Sequence, residues 1–417
     1  MCSKKKQDGQ PAETGNFIWN AVGGMLNAGQ SVFLLIIITR ICGLETAGIF
    51  SIAFATGNLF MYVGNYGVRN YQVSDQAGEY AFADYLWHRV LTICIMLAAA
   101  VGYSLWSMYS GSYSLYKAAC VFAMCALKAV DCAEEVFEGR YQQRGRLDLA
   151  GKLVTIRLLV SIGGMMLILA VTGDLLKATI AAALLAIAAS AAVIWYCRDT
   201  AALETAPFRG EKVGGLLRAC FPVFAANFLS FYLINEPKYA IDAAMDETAQ
   251  ACYNFIAMPV FVIQLLNMFL YQPMLLRMTV CWERQNKKEF LGYFYKLSAA
   301  LLAVAVPVLL AAWLLGIPVL SWLYATDLTG YRIDLLLILV GGVFLAFNGF
   351  YCAVLTITRQ QNTIPFVYLA GAIISFVLTP VMVQGSGIRG AVVSFLIVMA
   401  FVTALLSGVF IRTVKRN

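Results

Sequence analysis

The sequence predicts an all-α integral membrane protein with about twelve transmembrane helices in two six-helix lobes. Three observations point there. First, 61% of its 417 residues are hydrophobic and only 13% are charged, where a soluble domain carries roughly 25% charged residues. So few polar groups could not cover a water-facing surface, a requirement that lipid removes. Second, apolar runs long enough to span a bilayer recur at 16–39, 47–68, 86–108, 113–137, 151–172, 175–197, 214–235, 249–276, 291–316, 331–357, 363–384 and 388–411. Third, with the N-terminus inside, 22 of the 30 lysines and arginines fall on inner segments and six on outer ones. That asymmetry is the positive-inside signal, and one span more or fewer would scramble it.

The order of the elements follows. Residues 1–15 form a polar tail carrying Lys4, Lys5 and Lys6, read as cytosolic and followed by a retained first span, since no cleavage site ends the apolar run. Residues 16–200 form an N-lobe of spans 1–6, 201–213 a cytosolic linker, 214–411 a C-lobe of spans 7–12, and 412–417 a cytosolic tail. Glu45-Thr46-Ala47 opens span 2 and Glu247-Thr248-Ala249 opens span 8; Gln142-Gln143 precedes span 5 and Gln360-Gln361 precedes span 11. Equivalent features thus recur at equivalent points of two halves that both start inside, the parallel repeat found in two-lobed transporters.

Several function classes drop out. The net charge of +7 sits in short loops between spans, where it sets topology rather than binding nucleic acid. His88 is the single histidine, which excludes a histidine-rich metal centre. There is no P-loop, GxSxG, HExxH or EF-hand pattern, so ATP hydrolysis and the usual hydrolase chemistries have no motif. The connections leave no room for a catalytic domain outside the membrane. Neither an enzyme nor a bound cofactor is expected, and uphill transport would draw on an Na⁺ or H⁺ gradient, the membrane potential or removal of the product.

Polar residues inside the spans are the functional candidates, because lipid penalises them unless they turn to a neighbour or to water. On span 1, Asn16, Asn20, Gly23, Asn27 and Gln30 share an arc of about 80° at 100° per residue. On span 2, Ser51, Asn58, Tyr62, Asn65 and Arg69 share about 60°. Such side chains either join helices by hydrogen bonds or line a hydrated cavity, and two full-length stripes on neighbouring spans favour the cavity. A third stripe on span 8 combines Tyr253, Gln264, Asn267 and Tyr271.

Span 4 carries Lys128, Asp131, Glu135 and Glu138 at spacings of three, four and three, so they share a face. Arg157 on span 5 enters from the same side and could pair with Asp131 or Glu135. These charges form an anion contact, a coupling-ion site or an inner gate; the alternative is that span 4 ends near Val130 and the acids lie in the interface. At the outer end of span 7, Pro237 is expected to break the helix or restrict its exit, leaving Lys238, with Arg40, at the outer mouth.

The chain resembles a known family. The resemblance is carried by the polar first span leading into Thr39-Arg40-Ile41-Cys42-Gly43-Leu44-Glu45-Thr46-Ala47-Gly48. It is carried further by Phe137-Glu138-Gly139-Arg140-Tyr141-Gln142-Gln143, by Asn235-Glu236-Pro237-Lys238-Tyr239-Ala240-Ile241, and by Gly316-Ile317-Pro318-Val319-Leu320-Ser321-Trp322-Leu323-Tyr324. These segments are similar to the polysaccharide-biosynthesis membrane proteins, the Wzx-type O-antigen flippases of the multidrug/oligosaccharidyl-lipid/polysaccharide (MOP) exporter superfamily. The resemblance implies two six-helix lobes around a central cavity in a bacterial cytoplasmic membrane, with both termini cytosolic. It implies an undecaprenyl-pyrophosphate-linked oligosaccharide as substrate, moved to the outer leaflet for lipopolysaccharide or other surface polysaccharide. Glycan-assembly proteins such as a polymerase or glycosyltransferases would be its partners, besides membrane lipids. Asn16, Asn20, Asn27, Gln30, Asn58 and Asn65 would contact sugar. Arg69, Lys128 and Arg157 would meet the pyrophosphate, since arginine pairs bidentately with phosphate, and Lys238 would bind substrate at the outer mouth. Asp131, Glu135 and Arg40 would couple or gate.

Three rival readings remain. A cation-coupled multidrug (MATE-type) exporter needs an intramembrane acid, and the span 4 acids are the ones in place. A lipid II flippase typically has fourteen spans, where this chain has room for twelve. A membrane-embedded glycosyltransferase or polymerase would bring a long outer loop, which is missing.

Overall fold

The computed structural model describes residues 13–75, 77–198 and 207–416, and their side chains other than those of residues 13–17, 265, 267, 268 and 416. The described residues are almost entirely helical. The first unit contains α1 (Glu13–Asn65), α2 (Val68–Ser74), α3 (Phe82–Tyr109), α4 (Leu115–Gln143), α5 (Leu147–Thr172) and α6 (Leu175–Tyr196). A long α7 (Gly210–Ala244) follows, then α8 (Glu247–Ala257), α9 (Pro259–Glu283), α10 (Lys287–Ala311), α11 (Ile317–Tyr324), α12 (Arg332–Ile357) and α13 (Ile364–Arg416).

Among the described residues, nine helical stretches are long and apolar enough to cross a membrane. Two of these hold two spans each. α1 turns at Gly43 (φ 85°, ψ −177°) and α13 at Gly387 (φ 57°, ψ −136°), so each is a pair of legs joined at one residue instead of by a loop. α4 has the length of a span, 29 residues, but carries the charges described below. Twelve membrane-length legs result, as the hydropathy pattern predicts, and the chain is a multi-pass membrane protein. Backbone groups have no water to bond in hydrocarbon, which is why helices fill it.

The ends of the legs have local causes. Between α5 and α6, Gly173 closes α5 in the left-handed region (φ 64°) and Asp174 opens α6 by accepting from the Leu176 and Lys177 N–H groups. Ser114, Asp246 and Asn286 cap α4, α8 and α10 in the same way. α7 differs from expectation. It passes straight through Pro237 to Ala244 instead of ending near 235. Pro237 has no N–H for the Leu233 carbonyl, and the Asn235 side-chain amide donates to the Phe231 carbonyl instead, yet the helix runs on.

The chain divides into two compact units, residues 1–224 and 225–417. The division falls inside α7, not in the expected 201–213 linker, of which 201–206 lie outside the described residues. In the first unit α1 packs along α4 and α5, α3 along α4, and α5 along α6. A Cβ on Gly151 would lie 2.5 Å from the Trp19 carbonyl carbon, so the α1–α5 crossing needs glycine there. Leu216 and Cys220 of α7 join Val68, Phe82, Tyr85 and Val136 in a buried cluster. In the second unit α12 packs against α9 and α13. Phe294 stacks on Phe410 (4.4 Å between centroids) and on Phe350 (5.4 Å).

Gly43 gives a clean test, because a Cβ there would enter open space. Gly43→Ala should therefore lose about 1–3 kcal/mol through backbone strain alone, read as a lower unfolding midpoint of the purified protein. An unchanged midpoint would mean that the turn does not hold this conformation.

Candidate functional site

α4 carries the charges. It continues to Gln143, so the acids at 131–138 lie on the helix, and Glu134 and Glu138 are buried. The helix does not end near Val130. Each carboxylate has a cation. Asp131 takes Lys128 (3.1 Å) and the Arg157 guanidinium. Glu134 takes Arg157 Nε at 2.6 Å and accepts from the Ser190 hydroxyl of α6 at 2.7 Å. Glu135 takes Arg89 of α3 at 2.6 Å, and Arg89 also donates to the Gly64 carbonyl and to Asn65. Glu138 takes Arg69 of α2, which donates to Gln142 as well. Four carboxylates and four cations thus form a formally neutral network. Arg157 meets Asp131 as expected, but its second partner is Glu134 and not Glu135.

The α1 residues reach this network from one side. Gln30 is buried and donates to the Asn27 side chain at 2.8 Å, while its own carbonyl oxygen lies 3.5 Å from Lys128 Nζ. Lys128 also stands 4.7 Å over the Phe54 ring. A cavity of ≈ 10 Å³ opens among Gln30, Phe54, Lys128, Asp131, Arg157 and Ser161, room for about one water. Asn20 and Asn27 are exposed, and Asn58 is half-buried and bonds its own helix at the Phe54 carbonyl. Asn16 sits in the first turn of α1, but its side chain and that of Asn267 lie outside the described residues. Arg40 is exposed beside the Gly43 turn. The network cations differ in access: the Arg69 side chain is 29% exposed, against 2% for Lys128 and Arg89 and 5% for Arg157.

A second polar site lies in the other unit. Because α7 continues through Pro237, Glu236 is in the helix and 3% exposed. Its carboxylate accepts from the Ser375 hydroxyl at 3.2 Å, and Ser375 lies 3.3 Å from the Thr379 hydroxyl. Among the described residues no lysine or arginine pairs with it. Lys238, two positions on, is half-buried. Both amide atoms of buried Gln250 lack a partner.

Sequence reasoning missed Glu134, Arg89 and Glu236 as interior charges. It also missed the anchoring of the start of α7, where Arg209 grips buried Asp84 through two hydrogen bonds and Lys212 donates to the Glu79 carbonyl. The adjoining loop is held by Asp75, which accepts from the Glu79 and Tyr80 N–H groups and the Tyr85 hydroxyl. Burial would raise the Asp75 carboxyl, but these donors outweigh it and leave it below the usual range.

Comparison with known proteins is decided by shape. No family model and no curated protein matches the sequence. An inward-facing multidrug resistance MATE family transporter of the MOP superfamily superposes with a TM-score of 0.69 at 12% identity, covering 96% of this chain and 99% of that one. This chain has the MOP-type transporter fold. The lipid II flippase MurJ, in an inward closed conformation, superposes with a TM-score of 0.70 at 11% identity, covering 95% and 89%. A MOP superfamily transporter from Pyrococcus furiosus gives 0.55 at 14% identity over 97% and 96%. On the MOP fold of this chain, the α4 network lies in the first unit and Glu236 in the second.

The network predicts an order of damage. Arg157→Ala strands the buried Glu134 carboxylate and takes one of its two cations from Asp131, and should cost about 3–5 kcal/mol. Arg69→Ala, at a pair whose cation water reaches, should cost less, about 1–3 kcal/mol. Unfolding midpoints of the two purified variants check the order, and equal losses would refute it.

Proposed function

We propose that this chain is a flippase. It moves an oligosaccharide linked to undecaprenyl pyrophosphate from the cytosolic to the outer leaflet of a bacterial cytoplasmic membrane, by alternating access of two lobes, for surface polysaccharide synthesis. The observation that carries the reading is Asn27, exposed midway along the first leg of α1. An amide at that depth is costly against lipid and belongs on a hydrated passage. Asn20 lies on the same stripe, and sugar hydroxyls are what such amides bind. Arg69 is the network cation with solvent access, and its partners Glu138 and Gln142 are the groups a diphosphate would displace. Both termini are cytosolic in this reading, and glycan-assembly proteins receive the product. The MATE and lipid II flippase neighbours support transport of this kind.

A second reading rests on Glu236. A buried carboxylate with hydroxyl partners and no paired cation is the feature a cation-coupled exporter requires.

Reconstitution decides between them. In sealed liposomes holding a labelled undecaprenyl-pyrophosphate oligosaccharide, exchange followed with an impermeant reagent should require the protein. Asn27→Ala and Arg69→Gln should each slow it about tenfold, the worth of roughly one hydrogen bond. Exchange unaffected by both changes would end the flippase reading. Ion-driven drug efflux that Glu236→Gln abolishes would establish the exporter, and rescue of a strain lacking its lipid II flippase would move the substrate to lipid II.

A further inference from the structure

The second unit carries an apolar groove that the transport reading does not use. α10 continues through a π-helical turn, Ala312–Gly316, into α11. The cause is local. Pro318 has no N–H for the Leu314 carbonyl and its ring would strike that oxygen, so the helix widens there. Beside the widened turn lies a groove of ≈ 250 Å³ between α9, α10, α11 and α12, walled by Pro259, Val262, Leu315, Val319, Leu335 and Leu339. Val262, Leu315 and Val319 are exposed, so the groove opens sideways.

One helical turn before the groove wall on α12 stands a cation. Arg332 opens α12, and Leu335 and Leu339 follow at helical spacing, so the three share a face. The Arg332 guanidinium lies 5.6 Å over the Trp313 ring. Among the described residues it makes no ion pair, whereas the nearby Asp334 is taken by Arg389. A cation stacked on tryptophan at the end of a spanning leg sits where headgroups lie. An apolar channel with an unpaired cation one helical turn from its wall is complementary to a molecule with an apolar chain and an anionic head.

We propose that this groove binds an anionic phospholipid, with one acyl chain along Val262, Leu315 and Val319 and its phosphate against Arg332. On the orientation that the lysine and arginine count favours, the lipid comes from the outer leaflet. The assignment does not depend on what the protein transports.

The test uses the purified full chain in nanodiscs of mixed phosphatidylglycerol and phosphatidylcholine. Each lipid in turn carries a photoactivatable acyl chain, and cross-linked peptides are mapped by mass spectrometry. Phosphatidylglycerol should label residues 308–339 in preference to phosphatidylcholine. Arg332→Gln should lower that labelling about fivefold, the worth of one cation at an anionic surface. Val319→Trp, which fills the groove, should remove it while leaving labelling at the exposed Leu167 and Val171 unchanged. If Val319→Trp does not fold, the Arg332→Gln variant and the two-lipid comparison still decide. Equal labelling by both lipids, or labelling indifferent to Arg332→Gln, overturns the proposal. So does complete displacement of the label by equimolar polyprenyl phosphate, which would give the groove to a substrate tail.

Discussion

A charge buried away from water is costly unless it is paired, and the first unit is arranged around that fact. α4 places four carboxylates along eight consecutive positions, and each must meet a cation inside the protein. Lys128 comes from the same helix; Arg69, Arg89 and Arg157 come from α2, α3 and α5. Each pairing fixes the height and rotation of a neighbouring helix against α4. A hydrophobic substitute for such a network would hold the helices together as well or better, so what the charges add here is the set of specific pairings between α4 and its neighbours. Those pairings belong to one arrangement of the helices, while small residues and apolar surface supply the adhesion.

Glycine provides the complementary freedom. Spans 5 and 6 are joined at Gly173 (φ 64°), and spans 11 and 12 at Gly387 (φ 57°). The two connections occupy equivalent places in the two halves, so the repeat seen in short sequence matches recurs as a backbone device. A positive φ reverses a leg within one or two residues, and side chains with a Cβ resist that conformation.

Much of this was legible in the sequence. Hydropathy located the spans because the bilayer demands long apolar runs, and helical spacing brought Lys128, Asp131, Glu135 and Glu138 onto one face. The failures have a common physical origin. Arg89 counted as a loop residue, yet α3 begins at Phe82 and buries it seven positions in. Glu236 counted as an outer acid because Pro237 follows it, yet the helix runs on. Glu134 fell off the predicted face because its partners, Arg157 and Ser190, stand on α5 and α6. Hydropathy gives the length of an apolar run but not how far a helix extends past it. One helix viewed alone cannot reveal what the next one offers. His88 makes the same point: nothing in the sequence announces that it is buried beside Tyr66 with both ring nitrogens unpartnered.

The balance of the α4 network has an electrical consequence. Moving one elementary charge through a membrane potential of 100 mV involves about 2.3 kcal/mol. Four carboxylates paired with four cations carry no net charge, so displacing them as a body does no net work against the field. The membrane voltage therefore has no handle on the most highly charged part of this protein. It can act only on a charge that travels without its partner, whether borne by a ligand or by a side chain such as Glu236.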